Sequence, residues 1–303
     1  MAKDFNVQES FGKLAERLMT LAATDLPAPV EKAIRDAYER ETVTAAKEQL
    51  STILKNIELS RKTCSSICQD PGIPVFNLSI GSRFPLEFDI RAVLTDAMAK
   101  VTAGVPLRQN ICHPLTKKNT RNNTGRSIPW VYYDYLPGAD YIELTALLKG
   151  GGSGFRSMVF SLAPTAPRVE SIRKIILDHV AMAGGIPCPP TVVGVGLGGT
   201  PDIALKIAFD QLTRTPVGSH NPDPDMAELE RQLTESINKT GIGTMGLGGD
   251  TTALAVHLDY CFSHMATHPV AIAFSCWPNR FSKARMYADG RVEWLTHPKE
   301  ETR

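Results

Sequence analysis

Apolar residues recur at helical spacing through the first sixty positions, at Phe11, Leu14, Leu18 and Leu21 and again at Val43, Ala46, Leu50, Ile53, Leu54 and Ile57. This pattern predicts an N-terminal helical region over 1–60. Beyond Cys68 the texture changes to short apolar stretches at 74–80, 130–135 and 141–148 with turn formers between them, as expected of strands. Helical spacing returns over 169–183, 201–212 and 225–239, and further strands are expected at 191–195, 251–256 and 270–275. A hairpin is expected over 284–294 with Asp289-Gly290 at its turn, and the tail after His297 reads as frayed. The fold class is therefore α+β, an N-terminal helical region followed by a mixed β-sheet with flanking helices. No repeat or long linker divides 61–303, which reads as one continuous unit.

Composition narrows the function. Of 303 residues, 43% are hydrophobic and 21% charged, ordinary for a globular protein. Lys plus Arg number 33 against 32 Asp plus Glu, so nothing in the charge balance suggests nucleic acid as a partner. No apolar run approaches the roughly 20 residues that cross a bilayer, and the mixed-charge start carries no signal core. The expected location is the cytoplasm, with no membrane association. Six cysteines are too few for a disulfide scaffold in a chain of this length.

Two glycine patterns, Gly194/Gly196/Gly199 and Gly241/Gly243/Gly246, fit the dinucleotide template, and the first follows a strand and opens a helix. The template also needs a second strand with an acidic end about 20 positions on, where 214–223 is instead turn-rich and polar. Tight turns or close backbone approach explain the glycines as well. Other polar groups gather at Ser66-Ile67-Cys68-Gln69-Asp70-Pro71-Gly72, at Pro106-Leu107-Arg108-Gln109-Asn110 with Asn122-Asn123-Thr124-Gly125, at Lys149-Gly150-Gly151-Gly152-Ser153, and at Pro187-Cys188-Pro189-Pro190. Near the C-terminus Ser263-His264 precedes Ser275-Cys276-Trp277. A single cysteine is more often a small buried hydrophobe than a ligand, yet Cys68, Cys188 and Cys276 all sit in loops dense with Pro, Gly or polar neighbours. Zinc is the rival metal, with Cys64/Cys68 or Cys261/His264 as close pairs, but a second tight knuckle is missing.

These segments, with Gly246-Leu247-Gly248-Gly249, resemble in order the α subunit of the class I fumarate hydratase and L-tartrate dehydratase family, oxygen-sensitive [4Fe–4S] hydro-lyases. The likeness runs from about residue 10 to about residue 295. It implies the class I fumarase α-type catalytic fold, Cys68, Cys188 and Cys276 as ligands of a [4Fe–4S] cluster, and a fourth iron open to substrate, where a Lewis acid helps a poor hydroxide leaving group. It also implies that Gln69, Asp70, Arg108 and Gly152 bind substrate, with Arg108 holding a carboxylate, and that His264 lies near the substrate, so that His264 and Asp70 are the catalytic candidates.

Two departures stand out. Pro71 replaces the family's usual Thr, and Gly154-Phe155-Arg156-Ser157 follows Gly152-Ser153 in place of a Glu-Asn-Lys type continuation, so Arg156 becomes a further substrate-binding candidate. One-chain members carry an additional C-terminal domain with a catalytic Thr and substrate-binding Arg and Lys. The resemblance therefore implies a separate β subunit in an α2β2 assembly. The favoured reaction is hydration of fumarate to (S)-malate. The alternatives are an L(+)-tartrate dehydratase or mesaconate-type hydratase subunit, a cluster-bearing scaffold without its own turnover, or, from another class, a nucleotide-binding protein using Gly194 to Gly199.

Overall fold

The computed structural model describes residues 6–163, 165 and 168–298; the tail from 299 on, expected to fray, lies outside the described residues. The chain forms two compact units, one made of 1–28, 56–150 and 280–303 and the other of 29–55 and 151–279. Three helices come first: α1 (Val7–Thr24), α2 (Ala28–Arg40) and α3 (Thr44–Thr63). Asn6 caps α1 by accepting from the N–H of Glu9 at 3.0 Å.

The first unit holds a five-stranded sheet built from β1 (Ile73–Gly81), β2 (Trp130–Leu136), β3 (Tyr141–Lys149), and two later strands, Phe281–Tyr287 and Val292–Trp294. Its order is β2, β1, β3 and then the two C-terminal strands, with β1 and β2 parallel and every other pair antiparallel. A further helix, α4 (Ile90–Gly104), is capped by Asp89 and packs with α1. Phe11, Leu14 and Leu18 of α1 join Leu94 and Met98 of α4 and Phe76, Leu78, Ile142 and Leu144 of the sheet in one apolar cluster. Ile90, Val93, Leu94, Ala97, Met98 and Val101 follow helical spacing, so the pattern for α4 is present in the sequence although it was not among the expected helices.

The second unit opens with a short helix, α5 (Gly151–Phe155), and the strand β4 (Met158–Leu162). Then come α6 (Arg168–Ala183), β5 (Thr191–Leu197), α7 (Pro201–Gln211), α8 (Pro224–Asn238), β6 (Ala253–Tyr260) and β7 (His268–Ser275); the two C-terminal strands of the first unit are β8 and β9. The sheet order is β4, β7, β5, β6. Every residue of β5 is buried, with Val192 against α7 and Val193 and Val195 against α6 and α8. Fully buried strands read as continuous apolar runs, which is how β5 reads. The α+β class holds, with the strands divided between two mixed sheets. The expected hairpin at Asp289-Gly290 is β8–β9, where Gly290 has φ +89°.

β6 runs on to Tyr260, past the apolar stretch that ended at Val256, because His257 is buried with both ring nitrogens engaged. Nδ1 lies 3.0 Å from the carbonyl of Gln211, which can only accept, so Nδ1 donates; Nε2 accepts from the N–H of Gly218 at 3.1 Å. Burial, aided by the nearby Arg214 cation, pushes His257 down to about 4 from an ordinary 6.5. Below pH 6.5 the unfolded chain binds the proton that folded His257 refuses. Stability is therefore expected to fall as the pH drops from 6.5 towards 4, by up to about 3 kcal/mol. Urea midpoints of wild type and His257→Gln at pH 7.5 and 5 check this: the variant should have the shallower pH slope, and equal slopes would clear His257 of the effect.

Candidate functional site

In the first unit the loop after α3 is pinned from two helices. The N–H of Ile67 donates to the carbonyl of Ala23 at 2.9 Å, and the Asn56 amide donates to the carbonyl of Ile67 at 2.9 Å. This anchoring leaves Cys68 half-buried and Gln69 exposed. Asp70 then folds the chain back, its Oδ1 accepting from the N–H of Gly72 at 2.8 Å and from the Asn110 amide at 2.6 Å. Gly72 has φ +76°, and a Cβ there would sit 2.4 Å from the carbonyl oxygen of Lys149. No other residue fits this turn. Burial lowers Lys149, at the end of β3, to about 7.

Arg108 comes from the loop after α4 and donates from Nη1 to Gln69 Oε1 at 2.8 Å. That loop is held from within by Asn123, which is fully buried. Its Oδ1 accepts from the N–H of Asn110 at 2.8 Å and its amide donates to the carbonyl of Arg108 at 3.0 Å. Arg280, also buried, donates from Nη1 to the carbonyl of Asp70. Gln69, Asp70 and Arg108 are thus brought together on two neighbouring loops of the first unit. The supports Asn123 and Arg280 were not expected site residues. Asn123 carried a signal, as part of an asparagine-rich stretch, whereas Arg280 carried none.

In the second unit the Cys188 and Cys276 loops meet. β5 and β7 are antiparallel, with Val192 opposite Ser275, so the residues before β5 and after β7 share one end of the sheet. The N–H of Trp277 donates to the carbonyl of Cys188 at 3.0 Å. Both cysteines are half-buried and outside any disulfide. α5 packs on β7, and a Cβ on Gly152 would lie 3.1 Å from the carbonyl of Ile186, two residues before Cys188. Arg156 follows α5, and its carbonyl accepts from His179 Nε2 at 2.6 Å. Gly152, Arg156, Cys188 and Cys276 therefore gather at one end of the four-stranded sheet.

His264 does not join them. Its loop follows β6 and meets the far end of β5, where the N–H of Cys261 donates to the carbonyl of Leu197 at 3.0 Å and the N–H of Gly199 to that of Phe262 at 3.3 Å. The seven residues of β5 separate the two ends by roughly 20 Å. His264 is exposed, and its Nδ1 accepts from the N–H of Ala266 at 3.1 Å, which leaves Nε2 outward as a donor in the neutral ring.

Among the described residues no group of three or more His, Cys, Asp or Glu is gathered as a ready metal site. The donor chemistry still suits iron and sulfide. Cys188 and Cys276 are half-buried thiols on touching loops, and Cys68 is a half-buried thiol on a pinned loop of the first unit. No described helix is long and apolar enough to cross a membrane.

The glycines of β5 have a packing role. A Cβ on Gly194 or Gly196 would lie 2.0 Å from the carbonyl oxygen of Ala208 or Ala204 on α7. The start of α7 is served by its own anion, since Asp202 accepts from Thr200 Oγ1 at 2.5 Å, a bond that, aided by the nearby backbone, holds its carboxyl below the usual range. A phosphate placed there would meet that carboxylate.

The family model described as Fumarate hydratase (Fumerase) matches residues 12–285. A Methanocaldococcus jannaschii protein named "Putative L(+)-tartrate dehydratase subunit alpha" is 38% identical over 274 residues, covering 89% of this chain and 95% of that protein. The L(+)-tartrate dehydratase subunit alpha of Escherichia coli UTI89 is 31% identical over 300 residues, 98% of each chain. The Shigella sonnei protein of the same name matches to the same extent.

Asn123→Ala should remove the amide that satisfies the N–H of Asn110 and the carbonyl of Arg108. Two orphaned backbone groups predict a loss of about 2–4 kcal/mol, read as a lowered urea midpoint. Asn123→Ala at wild-type stability would show that the loop does not depend on that side chain.

Proposed function

The chain belongs to the fumarate hydratase (Fumerase) family, and from that premise we propose how its residues share the work of a hydro-lyase. It is the α subunit of a class I type hydro-lyase, adding water to or removing it from a small dicarboxylate. The observation that carries the residue assignment is the Trp277-to-Cys188 hydrogen bond, which ties together two thiol-bearing loops distant in sequence. On this reading Cys68, Cys188 and Cys276 would hold a [4Fe–4S] cluster. When bound, that cluster supplies a Lewis acid for the hydroxyl oxygen that enters or leaves.

The chain's own residues hold the substrate. Arg108 pairs with Gln69, a neutral amide, so its guanidinium keeps its charge for a substrate carboxylate, which it can grip with two parallel N–H groups. Gln69 accepts from Arg108 and turns the fork outward. Asp70, its Oδ1 fixed by Asn110 and Gly72, is a carboxylate that takes a substrate hydroxyl as donor or holds a proton during the transfer. Gly152 offers close backbone approach beside the Cys188 loop, and Arg156 supplies a second cation at that end of the sheet. His264 lies at the opposite end, so its contact with substrate requires a neighbouring copy, as an α2β2 assembly with a β subunit provides. The β subunit supplies the remaining acid–base and substrate-binding groups and excludes water.

The substrate is a four-carbon 2-hydroxy dicarboxylate or its unsaturated partner. Fumarate with (S)-malate is the reading from the glycine motifs, and L(+)-tartrate is the one supported by the names of the relatives. After anaerobic reconstitution with iron and sulfide, the chain should show a broad thiolate-to-iron absorption band that Cys188→Ser weakens strongly and Cys112→Ser leaves alone. Equal loss in both would overturn the ligand set. Assayed with its β partner against fumarate, (S)-malate, mesaconate and L(+)-tartrate, Arg108→Lys should cost about 10²-fold or more in kcat/KM on the true substrate. An unaffected kcat/KM would remove Arg108 from the site.

A further inference from the structure

Between Asp96 and Asp134 the chain has no Asp or Glu, and Arg108, Lys117, Lys118, Arg121 and Arg126 all fall in that stretch and are exposed. Among the described residues none of these five forms an ion pair, whereas Lys100, just upstream on α4, is held by Glu16 and Asp96 at 2.9 and 2.8 Å. The segment that carries them is ordered from within. Cys112 and Asn119 form an antiparallel bridge, the N–H of His113 donates to the carbonyl of Lys118 at 2.9 Å, and the N–H of Lys117 donates to the carbonyl of His113 at 2.9 Å. His113 Nδ1 accepts from the N–H groups of Leu115 and Thr116, both at 3.2 Å. Residues 111–120 therefore fold as a hairpin arm with Lys117 and Lys118 at its tip.

The arm is tied to the Arg108 loop at its base. The Asn119 amide donates to the carbonyl of Gln109 at 2.8 Å, and Thr102 of α4 donates to the carbonyl of Asn122 at 2.9 Å. Arg121 and Arg126 stand two and three residues from Asn123, whose amide donates to the carbonyl of Arg108. Chain length keeps their backbones within about 7 and 11 Å of that anchor, and the tip within roughly 20 Å of Arg108. Among the described residues the carboxylate bonded to this segment is Asp70, through Asn110, which offsets one cation of the five. The Debye length is about 30 Å at about 0.01 M salt, so all four outer cations are felt at Arg108; at about 0.15 M it is about 8 Å, and the tip is screened out.

On the reading of Arg108 as the carboxylate-binding residue of a hydro-lyase, on which this inference rests, we propose that the arm draws a dianionic substrate towards Arg108 by its field. No side chain of the arm need touch the dicarboxylate. Like charges gathered around one entry raise the local concentration of an opposite ion, and a dianion feels twice the pull of a monoanion. The charges stay fixed while substrate binds and reacts, so they favour bound substrate and transition state alike. The arm lowers KM and leaves kcat unchanged.

In the purified α–β complex, Lys117→Gln/Lys118→Gln/Arg121→Gln/Arg126→Gln is compared with wild type on whichever of fumarate, (S)-malate, mesaconate and L(+)-tartrate is turned over. At about 0.01 M ionic strength the variant should lose about tenfold in kcat/KM, carried by KM, and at about 0.15 M only about twofold. The charge-keeping exchange Lys117→Arg/Lys118→Arg/Arg121→Lys/Arg126→Lys should restore the wild-type salt slope. Trp130, exposed and four residues past Arg126, reports the field without turnover. Its quenching by iodide should weaken in the Gln variant at low salt, while quenching by neutral acrylamide stays the same. A wild-type salt slope in the Gln variant, no rescue by the charge-keeping exchange, or release of the β chain by the Gln variant would each overturn the proposal, the last by making the arm a docking surface. Turnover of none of the four substrates would instead sink the hydro-lyase reading, and this inference with it, even with the iodide effect intact.

Discussion

The antiparallel register of β5 against β7 is the constraint on which the second unit's chemistry depends. Val192 opposite Ser275 places the segment before β5 beside the segment after β7, and only then can the N–H of Trp277 reach the carbonyl of Cys188. A two-residue slip would carry Cys276 about 7 Å along the sheet and break that bond. A one-residue slip would turn Val193 and Val195 towards α7 and expose the wrong face to α6 and α8. Burial on both faces is therefore what fixes the loops. The thiols are placed by apolar packing far larger in energy than any contact they make themselves.

The first unit holds a guanidinium in a different way from the second. Arg214 in the second unit shows the ordinary outcome, a guanidinium neutralised by the buried carboxylate of Glu230 at 2.5 Å. Arg108 is treated otherwise. Among the described residues its side chain donates to the neutral amide of Gln69, and the Oδ1 of nearby Asp70 accepts from Asn110 and Gly72. The buried amide of Asn123 and the buried guanidinium of Arg280 hold the backbones of these two loops. Orientation of both loops therefore comes from neutral or backbone contacts rather than from an ion pair at Arg108 among the described residues.

How much of this was legible in the sequence follows from the range over which each signal acts. Periodicity is local, so α1, α3, β3 and the β8–β9 hairpin could be read directly. β4, five residues on a sheet edge, is too short to show a period. β6 was cut short at Val256 because a histidine ends an apolar run, and only the folded chain shows the partners that allow His257 to be buried. The site divides in the same way. Cys68, Cys188, Cys276 and Arg108 stand in loops whose Pro, Gly and amide neighbours mark them. Arg280 and the separation of His264 from Cys188 and Cys276 arise from tertiary pairing, which no short window contains.

The glycines after residue 193 show why one pattern supports two readings. Gly194 and Gly196 alternate on the face of β5 that meets α7, where carbonyl oxygens of Ala208 and Ala204 occupy the space a side chain would need. The dinucleotide template also uses a glycine for close helix–strand packing, so the spacing alone cannot separate packing from phosphate binding. The helix start decides it. A phosphate loop needs a helix start open to an anion, whereas here the carboxylate of Asp202, held by Thr200 Oγ1, already stands in the first turn of α7. The helix dipole is answered from within the chain, and β5 serves as the rigid axis whose two ends carry the thiol loops and the His264 loop.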